Sequence, residues 1–306
     1  MSHVLAVVGP TATGKSDLAL DVVDLLGGPD AAEVVNADAM QLYRGMDVGT
    51  AKLPPDQRRG VAHHQLDVLD VTQEASVAAY QREARADVAA IHGRGRRAVL
   101  VGGSGLYLRA ALDELDFPGT DPQVRARLEE RAEREGPGIL HAELAARDPQ
   151  AAARIPSTNA RRVVRALEVI ELTGRPYSAS LPEYRYHLPA VQVGITVPRA
   201  ELDRRIAARA RAMLDGGLLE ETRELLAAGL ARGRTASRAV GYAQAVAVLE
   251  GRLDVEEAHE AIAVATRQLA RRQEKWFRRD PRIRWLEPGP DLAARAAQAL
   301  MDGAAT

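Results

Sequence analysis

The sequence predicts an α/β fold: a parallel sheet core flanked by helices, carrying an all-helical insertion and a helical C-terminal region. Three observations predict it. Short apolar runs alternate with segments of helical apolar spacing through the first part of the chain. A glycine-rich loop stands between the first such run and the first helical segment. From about residue 117 the strand signals vanish and only helical patterns remain until 191.

In order, "HVLAVV" (3–8) is a short apolar run bounded by Gly-Pro and reads as a buried strand. "SDLALDVVDLL" follows with helical spacing and stops at Gly27-Gly28, a helix C-terminal signal. "AEVVNAD" (32–38), "AVLVGG" (98–103) and "VQVGITV" (191–197) read as further strands, with a helix over 76–93 between two of them. This alternation implies parallel strands covered on both faces. Within 117–188, Asp121-Pro122 opens a helix, "HAELAARD" suggests a second, and "STNARRVVRALEVIELTG" (157–174) a third. The expected organisation is a core of 1–116 and 189–306 with a helical insertion at 117–188. After the strand at 191–197, amphipathic helical patterns fill the rest of the chain.

Composition removes several classes of function. With no cysteine among 306 residues there is no disulfide framework, thiolate zinc site or cysteine nucleophile. No apolar run approaches the ~18–20 residues of a membrane-spanning helix. The opening residues lack the pattern of a secretory signal, so the expected address is cytoplasmic. A net charge of −1 gives no global sign of nucleic-acid binding, but it hides basic clusters in "RIPSTNARRVVR" (154–165) and "RQLARRQEKWFRRDPRIR" (267–284).

The loop "GPTATGKS", Gly9, Pro10, Thr11, Ala12, Thr13, Gly14, Lys15 and Ser16, matches GxxxxGK[ST]. The glycines let the backbone curl so that successive N–H groups cradle phosphate oxygens, and the following helix adds its positive end. Lys15 is placed to bridge outer phosphate oxygens and Ser16 to help hold Mg²⁺. The core is therefore P-loop NTPase-like, and the loop binds a di- or triphosphate without saying which bond breaks. A second metal-binding acid after an apolar strand, usual in phosphoryl-transfer enzymes, is missing where "VLVGGSGLY" ends the third strand. An acid does follow the second strand: Asp38 stands just outside its carboxyl end, where ligands of open α/β sheets gather. Taken alone it reads sooner as a helix cap or loop carboxylate.

Together "GPTATGKS", "ADAMQLYRGMDVGTAK", "VGGSGLYLRAALDEL", "NARRVVRALEVIELTG", "SRAVGYAQA" and "TRQLARRQEKWFRRDPRIRWL" resemble the tRNA dimethylallyltransferases, or tRNA isopentenyltransferases, over nearly the whole chain. The resemblance implies transfer of a dimethylallyl group from dimethylallyl diphosphate to N6 of adenosine 37, in the anticodon stem-loop of tRNAs reading codons that begin with U. It implies that the loop holds a diphosphate leaving group, with Mg²⁺ as cofactor, in a monomer. Asp38 matches the family's general base, Ser104 a position usually held by threonine, and Arg209 an arginine implicated in diphosphate binding. On its own Ser104 reads as readily as a helix N-cap as a hydroxyl on the diphosphate, the two being compatible, and Arg209, among Arg204, Arg205 and Arg211, as part of a solvated helix face. The stretches that touch tRNA in relatives correspond to Asp38, Ala39, Met40 and Gln41, to Asn159, Ala160, Arg161, Arg162 and Val163, and to Arg238 through Gln244, including Gly241 and Tyr242. Ser104 and Arg125 match further contact positions, and Gln41 matches the residue that holds adenine.

Arg161, Arg162 and Arg165 gather by spacing on one helical face while Val163, Val164 and Leu167 turn to a core; ordinary solvation is the plainer reading of that charge. Ala39 stands where the family commonly has serine, and Ala243 where it often has a basic residue. His63 and His64 tempt a metal reading, but without a distal ligand pattern they read as loop or packing residues. Other chemistries stay open: an adenylate isopentenyltransferase using free nucleotide, a small-molecule kinase in which Asp38 activates a hydroxyl, and an RNA-binding protein that uses nucleotide as a switch.

Overall fold

The computed structural model describes residues 3–180 and 184–304. In chain order the elements are β1 (Val4–Val8), α1 (Lys15–Leu25), β2 (Ala32–Asn36), β3 (His63–His64), α2 (Val77–Gly93), β4 (Arg97–Gly102), α3 (Gly105–Leu112), α4 (Pro122–Glu135), α5 (Pro137–Arg147), α6 (Pro149–Arg154), α7 (Ala160–Thr173), β5 (Ala190–Ile195), α8 (Arg199–Asp215), α9 (Leu218–Ala227), α10 (Tyr242–Leu249), α11 (Val255–Phe277), β6 (Ile283–Leu286) and α12 (Leu292–Ala304). Two units emerge, one of Met1–Asp113 with Tyr186–Thr306 and one of Glu114–Arg185.

In the first unit all strand pairs are parallel, in the order β3-β2-β4-β1-β5-β6. Because side chains alternate across a strand, Leu5 and Val7, Val99 and Val101, and Val191, Val193 and Ile195 share one face. They pack there with Leu18 and Val22 of α1 and Ala296 and Leu300 of α12. α2 contacts β2 and β4 without joining that cluster, so the other face is covered too. Val8 lies level with Gly102 and with Gly194, and Asn36 with Val101, which brings the loops after β1, β2 and β4 together at the carboxyl end of the parallel strands.

Two strands escape the sequence reading. β3 is two residues long, too short for any periodicity, and corrects the assignment of His63 and His64 to loop or packing: they pair with Val34 and Val35. His64 Nε2 meets the buried Glu33 carboxylate at 2.6 Å, where Arg94 and Arg96 also converge. β6 is hidden in the basic run "RRDPRIRWL", whose charge masks the apolar alternation of Ile283 and Trp285.

In the helical unit α4, α5 and α6 each start on a proline, which has no N–H to lose at a first helical position. Asp121, Asp148 and Asn159 cap α4, α6 and α7 by accepting backbone N–H bonds. α6 is six residues and was not visible as a separate periodic segment. Leu128, Leu140, Leu144, Val163 and Leu167 form its core. The unit begins at Glu114 and ends at Arg185 rather than spanning 117–188. Long-range backbone pairing decides this: Glu114 N–H donates to Arg185 O at 2.9 Å, a contact no local pattern records. Residues 181–183 of that span lie outside the described residues.

Candidate active site

The site grows from the loop between β1 and α1. Gly14 adopts φ +89° as it enters α1, a left-handed conformation that disfavours a side chain. Ala12 holds φ +63° in the same loop, at a cost of about 1–3 kcal/mol for a non-glycine residue. No side chain caps α1, so its first N–H groups remain available to an anion. Thr13 Oγ1 and Lys15 Nζ both donate to Pro10 O, at 2.9 and 2.5 Å, and curl the loop on itself. Burial pulls the Lys15 ammonium down to about 7; Asp38 opposes this and Arg209 adds to it.

Asp38 is fixed by its neighbours. The buried Asn36 accepts from Asp38 N–H at 2.9 Å and donates to Asp38 O and Gln65 O. Asp38 Oδ1 accepts from Met40 N–H at 2.9 Å, while Oδ2 takes no hydrogen bond from the described residues. Ser104 holds the N-cap position of α3 but makes no capping bond. Its Oγ instead accepts from Ala39 N–H at 3.1 Å, tying the β4–α3 turn to the Asp38 loop. Gln41 Nε2 points at Thr50 O and Ala51 O, at 3.2 and 3.4 Å, which leaves its Oε1 as the acceptor for a ligand.

Arg209 corrects the reading of a solvated face. It turns inward and donates to Thr11 Oγ1 at 3.2 Å, whereas Arg204 and Arg205 pair with Glu201 and Arg211 with Glu256. Burial lowers its pKa, with Asp17 and Asp38 holding it up.

Most of these residues line two adjoining cavities, though Ser104 lines neither. One contains the loop residues Thr11, Gly14, Lys15 and Ser16 together with Gln41 and His63. The second is mostly apolar, walled by Met40, Ile206, Met213, Val240, Ile262 and Leu269. Thr11, Asp38, Thr50, Arg209 and Gln273 belong to both, so they form the common wall. Asn36, Thr50 and Gln273 were not singled out from the sequence, and Gln273 shares its basic helix with another glutamine, Gln268, so no local signal marks it.

Other expected contact residues fall elsewhere. Gly241 and Tyr242 are buried, and Tyr242 is 0% exposed, its hydroxyl donating to Glu221 at 2.6 Å. They present little open surface here, whereas Arg238, just before them, is exposed. In the helical unit Val163 is likewise 0% exposed and packs in the core, while Ala160 is half-buried and Arg161 and Arg162 are exposed with no acidic partner among the described residues. Arg125 and Arg165 are not part of a free basic face: both bind the buried Glu168, at 2.6 and 2.8 Å.

A magnesium ion was expected at Ser16. Among the described residues no group of three or more His, Asp or Glu side chains is arranged to hold a metal. Ser16, Asp17 and Asp38 nevertheless line the cavity that contains Lys15, a donor set suited to an ion carried mainly by phosphate oxygens and water. No helix among the described residues is long and apolar enough to cross a membrane.

Comparison with known proteins fits this geometry. Residues 41–280 match the family model described as IPP transferase. A tRNA dimethylallyltransferase of Thermobifida fusca is 60% identical over 300 residues, covering 97% of this chain and 93% of its own length. The structure of full-length tRNA isopentenylpyrophosphate transferase from Bacillus halodurans aligns with TM-score 0.72 at 34% identity, covering 100% of this chain and 99% of that one. A eukaryotic dimethylallyltransferase acting on tRNA has the same fold, with TM-score 0.81 at 24% identity over 94% of this chain and 74% of that one.

Proposed function

This chain belongs to the IPP transferase family and prenylates tRNA, and we propose that it moves a dimethylallyl group from dimethylallyl diphosphate to N6 of adenosine 37 in tRNAs reading codons that begin with U. The observation that carries the proposal is Asp38, a half-buried carboxylate with an open oxygen in the wall shared by the cavity at the glycine-rich loop and an apolar one. In this reading the diphosphate lies on the loop and α1, and the five-carbon chain lies against Met40, Met213 and Ile262. C1 then sits where the cavities meet.

An exocyclic amine is a weak nucleophile because its lone pair is delocalised into the ring. Asp38 orients N6 and accepts its proton as the N6–C1 bond forms. The C1–O bond breaks, and its electron pair leaves with the diphosphate oxygen. Lys15, the backbone N–H groups of the loop and the end of α1 stabilise that growing charge, and Arg209 holds the edge of the loop through Thr11. Mg²⁺ at the Ser16 hydroxyl, when bound, supplies further positive charge to the leaving group. Gln41 Oε1 accepts from the adenine edge, and splaying adenine from its stack costs a few kcal/mol that phosphate contacts by Arg161, Arg162 and Arg238 help offset.

The test incubates the purified protein with Mg²⁺, dimethylallyl diphosphate and either unmodified tRNA carrying A36-A37 or free AMP, followed by mass spectrometry of the nucleosides. A dimethylallyl increment on adenosine from tRNA alone is the expected result. An increment on AMP alone would overturn it.

A further inference from the structure

The geometry points to Gln273 as a positioning residue that locks the phosphate loop to the β4–α3 turn and thereby prepares the donor site for diphosphate. Its Oε1 accepts from Thr11 N–H at 2.9 Å and its Nε2 donates to Gly103 O at 3.0 Å. Only this orientation of the amide pairs a donor with an acceptor at both ends; the flipped amide sets two donors against one another and two acceptors against one another. The two backbone groups it joins lie in segments far apart in sequence: Thr11 opens the phosphate loop, and Gly103 precedes Ser104, whose Oγ holds the Asp38 loop through Ala39. One side chain therefore links the loop that binds the diphosphate to the segments that set Asp38.

Gly103 is built around this contact. A Cβ there would lie 2.5 Å from Gln273 Nε2, whereas the next atoms, Gln273 Cδ and Gly9 O, are 3.4 Å away. The clash is with the end of the Gln273 side chain, so it depends on that residue. Gln273 also stands on α11 beside exposed Arg271, Arg272 and Lys275, a position that joins the donor loop to a basic helix face.

A loop that is held before ligand arrives loses less conformational freedom on binding. Removing Gln273 leaves the Thr11 N–H without its acceptor and the loop free to relax, so diphosphate affinity falls. The inference rests on the transfer reading only for its second readout, the rate.

The experiment is a double-mutant cycle on Gln273→Ala, Gly103→Ala and the pair, in the full chain with Mg²⁺. Calorimetry reads binding of inorganic pyrophosphate, and steady-state transfer to tRNA reads kcat and the KM for dimethylallyl diphosphate. Each single variant is expected to weaken pyrophosphate binding by roughly tenfold, and the double variant to bind about as Gln273→Ala does, because the steric conflict is gone. The donor KM rises with the pyrophosphate Kd while the tRNA KM stays within about twofold. Gln273→Glu keeps the acceptor for Thr11 but loses the donor for Gly103, so it fails to rescue. Additive losses in the cycle, or unchanged binding in Gln273→Ala, would overturn the inference. Tighter binding would overturn it as well, since Gln273 would then be a competitor for Thr11 N–H. A protein that binds pyrophosphate but transfers nothing removes the transfer reading and leaves the binding cycle to decide this one.

Discussion

Lys15 and Asp38 carry the sharpest consequences at the residue scale. Burial brings the free-enzyme Lys15 to about 7, so above that pH the amine is mostly neutral. A bound diphosphate raises the pKa again, and binding at higher pH must take up a proton. Donor affinity is therefore expected to fall as pH rises from about 7, by up to roughly tenfold per unit until the bound pKa is reached. Because the diphosphate titrates too, Lys15→Arg serves as the reference: it stays charged, and its pH profile of Kd should lack the lysine's component. Asp38→Asn keeps the shape of the loop but removes the base, and is expected to lower kcat by about 10²–10⁴-fold with pyrophosphate binding retained, measured by single-turnover transfer. Equal rates would remove Asp38 from that role. The place of Asp38 just past β2 was legible in the sequence, but its role as base came only from the resemblance, since alone it reads as a cap or loop carboxylate. Arg209 was not legible from its residues alone. Arg204, Arg205 and Arg211 are the same residue type on the same helix, and only the fold decides which one meets Thr11 instead of a glutamate.

At the scale of elements, the loop that follows β2 is held by a staple absent from any local pattern. The Glu221 carboxylate of α9 accepts from the N–H groups of Asp47, Val48 and Gly49 and from the Tyr242 hydroxyl of α10. Burial and the Glu221 carboxylate together raise the Tyr242 pKa and keep the phenol protonated. Gly49 lets the ring approach: a Cβ there would lie 2.5 Å from Tyr242. Tyr242→Phe is expected to destabilise the protein by about 1–3 kcal/mol by leaving a hydrogen-bond partner unmet, and Gly49→Ala by a similar ~1–3 kcal/mol through overpacking. Urea denaturation followed by circular dichroism checks both. The same tyrosine shapes the loop carrying Thr50 and Ala51, whose carbonyls orient Gln41. The start of α4 was legible, since Asp121 caps it within three residues of its own position and Pro122 follows; that of α6, capped by Asp148, was not. β3 and β6 were not, since neither repeats often enough to show a period.

For the whole molecule, the two units call for separate tests. Leu167 is 0% exposed in the core of the helical unit, and Leu167→Ala is expected to cost about 2–5 kcal/mol there. Hydrogen exchange should report the loss as faster exchange in α4–α7, and unchanged protection of those helices would count against it. Arg161, Arg162 and Arg238 are exposed and pair with no carboxylate among the described residues, so replacing all three by Ala is expected to weaken tRNA binding and flatten its dependence on salt. Each lost phosphate contact lowers the slope of log K against log salt by about 0.7–0.9. Arg125→Ala is different in kind, because it leaves Glu168, 0% exposed, with one guanidinium fewer and acts through stability.

Sequence by itself determined what local chemistry can determine. A glycine loop between a strand and a helix is a phosphate site because both glycine freedom and the helix terminus are properties of adjacent residues. The alternation of apolar periods dictated parallel strands, and Asp121 with Pro122 dictated where the first helix of the insertion begins. Tertiary structure decided what depends on partners far along the chain: Arg209 rather than its neighbours at Thr11, Arg125 and Arg165 committed to Glu168, Tyr242 closed against Gly49, and Gln273 across the phosphate loop. The physical reason is common to all of them. A charged or polar side chain takes its role from the group it meets, and that group is set by packing the elements together, not by the residues beside it in the chain.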